Sequence, residues 1–96
     1  MTTAEYLRAF AERADGWAFF ARDAPLPSIV RHAATGVAIE AWARSDGRPV
    51  AMVSRDGAPK YPAAAGSIDG AFRLAIGLEP ITCPAIASAV EALVTT

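Results

Sequence analysis

Four Asp-Gly pairs punctuate this 96-residue chain, at Asp15-Gly16, Asp46-Gly47, Asp56-Gly57 and Asp69-Gly70, and a run in which apolar residues begin to alternate follows each of them. Asp tolerates the left-handed backbone region and Gly enters it without steric cost, so Asp-Gly between apolar runs is a strong local signal for a tight turn. The rhythm predicts short strands joined by turns. Its best instance is the stretch from Val37 to Arg44 and then from Pro49 to Arg55, which predicts a β-hairpin over about residues 37–55. A two-residue turn at Asp46-Gly47 would set Ala43 opposite Val50 and Ala41 opposite Met52, with Glu40, Trp42 and Arg44 projecting from the other face. The Asp56-Gly57 turn would add a short third strand near Lys60, which Pro59 and Pro62 would confine to an edge.

Helix signals flank this region. Thr2 followed by Glu5 has the spacing of a capping box, in which each side chain satisfies an amide of the first turn. Leu7, Phe10 and Ala14 then recur on one face, and Gly16 ends the helix near Ala14, because Gly inside a helix costs about 1 kcal/mol relative to Ala. Trp17 to Ala21 favours strand. Pro25 and Pro27 mark a break, after which Ser28 is positioned to cap a short helix that carries Ile29, Val30 and Ala33 inward and ends at Gly36. Tyr61 to Gly66 reads as loop. Past Asp69-Gly70, the alternation of Phe72, Leu74 and Ile76 with Arg73 and Ala75 suits a half-buried strand, while a helix capped by Ser67 fits the same residues. Pro84 opens a final helix with Ile86, Val90, Leu93 and Val94 on one side.

Ninety-six residues support one core, so residues 1–96 are expected to form a single small α+β domain. Its antiparallel sheet would be built around the central hairpin and packed by the N- and C-terminal helices. An all-helical bundle follows instead if Trp17–Ala21 and Phe72–Ile76 are helical. Much of the 53% hydrophobic content is Ala, so the core falls to larger residues: Leu7, Phe10, Trp17, Phe19, Ile29, Val30, Ile39, Val50, Met52, Phe72, Leu74, Ile76, Ile86, Val90 and Leu93.

Composition argues against several functions. A net charge of −1, with nine basic and ten acidic residues dispersed along the chain, gives no field of one sign for binding nucleic acid. Residues Ile81 to Thr96, which follow a turn as a recognition helix would, contain no basic side chain. The longest uncharged stretch lies between Glu79 and Glu91 and holds two Pro residues, too short for a membrane-spanning helix. One Cys cannot form an internal disulfide and fits a reducing compartment, and the amino-terminal residues lack a secretion-signal pattern, so a cytoplasmic location is expected. No phosphate-cradling Gly loop occurs, and His32 is the sole His, so neither a cofactor nor a metal is expected. His32, beside Arg31, reads as solvent-facing.

Two candidate sites remain. Trp42, flanked by Glu40 and Arg44 on the less apolar face of the hairpin, has the composition of an interface anchor, since Trp and Arg dominate interface energies. The alternative for Trp42 is burial under a helix of the same chain. Cys83 precedes the last helix, where unpaired amides and the helix dipole favour a thiolate. Thr82-Cys83-Pro84 resembles the active-site string of glutaredoxins over those three residues, but Ile86 stands where a dithiol member has its second Cys. The favoured function is therefore a non-enzymatic protein-interaction module, an adaptor, inhibitor or immunity-type protein. Its partner would be another protein or a second copy in a homodimer. The alternative is a small thiol-dependent or ligand-binding protein using Cys83.

Overall fold

The structure, a computed structural model, describes residues 2–22, 26–55, 60–78 and 83–94. Helix α1 (Thr3–Arg13) leads into strands β1 (Trp17–Phe20), β2 (Ser28–His32), β3 (Val37–Ala43), β4 (Pro49–Ser54) and β5 (Ala63–Ala64), and α2 (Ile68–Gly77) and α3 (Pro84–Val94) follow. The strands form one antiparallel meander in the order β1-β2-β3-β4-β5, with β3 in the middle. This is the α+β architecture expected, and the strand at Trp17–Phe20 excludes the all-helical bundle.

The start of α1 follows its sequence closely. Thr2 Oγ1 accepts from the Glu5 amide at 3.1 Å, and Glu5 Oε1 accepts from the Thr2 amide at 3.0 Å, completing the capping box. The helix ends where Ala14 turns extended and Gly16 takes φ +83, so Asp15-Gly16 joins a helix to a strand and makes no hairpin. Only Gly serves at position 16 on two counts, since a Cβ there would also lie 2.8 Å from His32 Nε2.

Two sequence expectations are overturned by pairing. Residues 28–36 do not form a helix: Ser28–His32 is β2, and Ile29 and Val30 lie opposite Glu40 and Ile39. Two β-branched residues between Pro27 and the Thr35-Gly36 turn suit a central strand better than a helix too short to propagate. Ser28 is thus a buried strand residue rather than a cap, and Gly36, at φ +73, closes the β2–β3 turn. Of the two readings open for Phe72–Ile76, the helix capped by Ser67 is the one found, within α2. The Ser67 hydroxyl accepts from the Gly70 amide at 3.0 Å, which places Asp69-Gly70 in a first turn where the Asp charge favours the helix dipole.

The second correction concerns register. Gly47 N–H donates to the Arg44 carbonyl at 2.8 Å and Arg44 N–H to the Arg48 carbonyl at 2.9 Å, so the hairpin loop has three residues, Ser45-Asp46-Gly47. Gly47 sits at φ +85, as a type I turn followed by a left-handed residue requires, and the Asp46 carboxylate accepts from the Arg48 amide at 3.0 Å. Trp42 therefore pairs with Val50, Ala41 with Ala51 and Glu40 with Met52, one residue away from the two-residue-turn register. A one-residue slip exchanges the two faces of a strand. Val50 and Met52 consequently share the face of Glu40 and Trp42, while Ala51 and Val53 point the other way. The short edge strand is found at Ala63–Ala64, while Asp56-Gly57 and Pro59 lie outside the described residues.

Helices α1 and α2 cover one face of the sheet, α1 over β1–β3 and α2 over β4 and β5. Between them and the sheet lie Leu7, Phe10, Trp17, Val30, Val37, Ile39, Ala51, Val53, Phe72 and Ile76, all buried, with Phe10 centred 5.5 Å from Trp17 and 4.7 Å from Phe72. Helix α3 packs beside α2 through Ala85, Ile86, Ala89 and Leu93 and is tied by the Ser88 hydroxyl, which donates to the Asp15 carbonyl at 3.2 Å. Leu74, expected in the core, is 50% exposed on α2.

One polar strut joins α1 to α2. The Tyr6 hydroxyl donates to Asp69 Oδ1 at 2.7 Å, and Arg73 Nε donates to Asp69 Oδ2 at 2.9 Å. The Tyr6 bond, reinforced by Arg73, holds the Asp69 carboxyl below its ordinary range, and burial together with that carboxylate raises the Tyr6 phenol, which favours its role as donor. A carboxyl depressed by folding stabilises fully above its unfolded pKa of about 3.9 and loses that contribution as pH falls through the lower, folded value. Tyr6→Phe should therefore destabilise the protein by about 1 kcal/mol at pH 7. Its stability should also fall less steeply than the wild type's below pH 4, as urea melts at pH 7, 4 and 3 would measure.

Candidate partner-binding face

The face opposite the helices is built from the alternate residues of each strand. From one edge to the other it presents Ala18 and Phe20 of β1, Ile29 and Arg31 of β2, Ala38, Glu40 and Trp42 of β3, Val50, Met52 and Ser54 of β4, and Ala64 of β5. Among the described residues, no helix lies over it. Trp42 is thus not covered by α1, α2 or α3, and it is half-buried by its own sheet neighbours. Val50 is only 4% exposed without a helix above it, because it sits between Trp42 and Ala64 in the ladder. Phe20 is 47% exposed at the β1 side, and Ile29 and Met52 are half-buried on either side of Glu40.

Glu40 and Trp42 project together, as alternation within β3 requires, and Arg44 follows one residue past the end of that strand. Arg44 stands at the turn, exposed, with its guanidinium 3.9 Å from the Asp46 carboxylate, so it marks the rim of the face. Glu40 stands in the middle of the middle strand. Its neighbours across the ladder are Ile29 and Met52, and along the strand Ala38 and Trp42, so a half-buried carboxylate has four apolar nearest neighbours, with Arg31 on the diagonal. Among the described residues its side chain makes no hydrogen bond or ion pair.

Ile29, Arg31, Phe20, Val50 and Met52 are the members that the sequence concealed. The signal for Val50 and Met52 was present in Ser45-Asp46-Gly47, since Gly at the third loop position is the mark of a three-residue hairpin turn.

The remaining candidates lie apart from this face. Cys83 is partly buried against the core, and its carbonyl accepts from the Ile86 and Ala87 amides at 3.1 Å each, opening α3. His32 is half-buried rather than solvent-facing: its ring stands edge-on to Trp17 at 5.4 Å, and Nδ1 lies 3.0 Å from Thr35 Oγ1. Ser28 and His32 occupy opposite ends of β2, about 13 Å apart along an extended strand, so hydroxyl and imidazole do not meet. Among the described residues no three His, Cys, Asp or Glu side chains gather as metal ligands, and no helix is long and apolar enough to cross a membrane. No protein-family model, curated protein or solved structure matches this chain.

Proposed function

We propose that this protein is a non-enzymatic interaction module that binds a protein partner across its open sheet face. The observation that carries the proposal is the apolar surface of Phe20, Ile29, Trp42 and Met52 around Glu40, left uncovered among the described residues. Continuous apolar patches are rare on soluble proteins and mark binding surfaces. A Trp within such a patch supplies a large rigid contact area, and exposed charges such as Arg44 form part of the rim around it. A flat sheet without an enclosing cavity suits docking of a surface better than capture of a small molecule. Roles as an adaptor, an inhibitor or an immunity-type protein all use such a face, and the single Cys supports a cytoplasmic setting.

The experiment is an affinity capture from a lysate of the source cells with the wild type, Trp42→Ala and Leu74→Ala compared side by side, each checked for folding by circular dichroism. Leu74 is an exposed apolar residue on the helical side and serves as the control. The proposal predicts a retained protein, the chain itself included, that is lost with Trp42→Ala and kept with Leu74→Ala. Identical capture by all three would remove the open face as the binding surface.

A further inference from the structure

We infer that the occupant of the open face is a second copy of this chain, stacked face to face so that Arg31 of each copy meets Glu40 of the other and Trp42 of each enters a hollow beside the other's Arg31. The inference rests on the interaction function proposed above and names its partner.

Glu40 sets the first requirement. A half-buried carboxylate among Ile29, Met52, Ala38 and Trp42 is tolerated in water, but covering it with apolar surface alone would strand a charge. Arg31 of the same chain stands diagonally across the ladder but makes no ion pair with Glu40, so a docking surface that brings a cation set among apolar side chains satisfies the carboxylate directly. The face itself displays that chemistry: Arg31 is exposed on the same side and makes no side-chain hydrogen bond or ion pair among the described residues.

Ladder geometry makes the match reciprocal. Arg31 pairs with Ala38 and Ile29 with Glu40, so Arg31 and Glu40 occupy one diagonal of a four-residue cell and Ile29 and Ala38 the other. In a two-fold dimer, residue i meets j and j meets i. An axis lying between two stacked sheets, along the Ile29–Ala38 diagonal, places Arg31 over Glu40 twice and brings the Ile29 side chains together near the centre.

A second feature agrees with the same axis. Trp42 stands two residues beyond Glu40 on β3, and the operation carries it to the far side of Arg31, onto Ala18, the residue paired with Arg31 on β1. That position is a hollow of about 290 Å³ lined by Ala18, Phe20, Arg31, His32, Ala33 and Gly36. Small residues form its floor where a large one is required to enter, and knob and hollow lie at positions that one rotation exchanges. Shape and charge are thus self-complementary about one axis, which a surface built for an unrelated partner does not need.

Sedimentation equilibrium on the intact chain from about 10 μM to 1 mM tests this, with folding checked by circular dichroism. The wild type should show a concentration-dependent dimer. Glu40→Arg and Arg31→Glu should each sediment as monomers, with the dissociation constant raised at least about 100-fold by two like-charge encounters. An equimolar mixture of the two variants should regain the dimer, since each supplies the charge that the other lacks. A wild type that is monomeric at 1 mM overturns the inference, as do single variants that stay dimeric or a mixture that stays monomeric. A monomeric chain that still captures a different protein through Trp42 overturns the second-copy assignment while leaving the interaction function in place.

Discussion

Phe10→Ala is expected to destabilise the protein by about 3–5 kcal/mol, the cost of removing a fully buried aromatic side chain from a core that relaxes only in part. Phe10 is 0% exposed, and its ring touches those of Trp17 at the start of the sheet and Phe72 on α2, so it holds together α1, β1 and α2. Each aromatic contact adds about 0.5–1.5 kcal/mol beyond area burial. A domain of this size has a total stability on the order of 5–14 kcal/mol, so this one truncation removes a large fraction of it. Thermal melts should show a midpoint lowered by at least about 12 °C. Leu74→Ala, made at an exposed apolar position of α2, should stay within about 0.5 kcal/mol of the wild type.

The second large effect separates two adjacent residues. Ala51→Lys should abolish stable folding, whereas Met52→Lys should leave stability within about 1 kcal/mol of the wild type. Ala51 is 0% exposed and faces the helices between Ala41 and Ala63, where a four-carbon stem overpacks a closed layer and an ammonium finds no partner. Met52 faces outward opposite Glu40, so a Lys there stays in water and gains a cross-strand carboxylate. The pair also tests the hairpin register, because a two-residue turn would reverse the outcome. Urea denaturation of the purified variants measures both.

These effects show which parts of the fold were legible in the sequence. The capping box of α1, the end of that helix near Ala14, the hairpin around Asp46-Gly47 and the Pro84 start of α3 are each encoded within a few consecutive residues. Such local chemistry is readable without knowing the rest of the fold. Segments 28–32 and 72–76 were different: each carries signals for both helix and strand, and the choice was made by distant partners. Ile29 and Val30 became strand because Glu40 and Ile39 lay ready to pair, and Phe72 became helical because its face meets Phe10 and Tyr6 on α1. The Asp69-Gly70 pair misled because Asp suits a helix's first turn as well as a β-turn.

The candidate site divides along the same line. Glu40, Trp42 and Arg44 were visible because they alternate along one segment. Ile29, Arg31 and Phe20 entered the face only through the pairing of β1, β2 and β3, and Met52 only through a single extra residue in a turn. Interfaces assembled across strands are hidden from any inspection that treats each segment alone, since a shift of one residue moves a whole side-chain set to the other face.

The outward direction of Trp42 and Met52, away from α1 and α2, decides where the binding face lies. Methyl and aromatic NOE spectra, recorded at a dilution where the chain is monomeric and repeated with a soluble paramagnetic agent, measure it directly. The expected result is NOEs from the Val53 methyls to the core ring of Phe10 or Phe72, none from the Met52 methyl to either ring, and strong relaxation of Met52 and the Trp42 indole by the agent. NOEs from Met52 or the Trp42 indole to the Phe10 or Phe72 rings, with Val53 exposed to the agent instead, would contradict it.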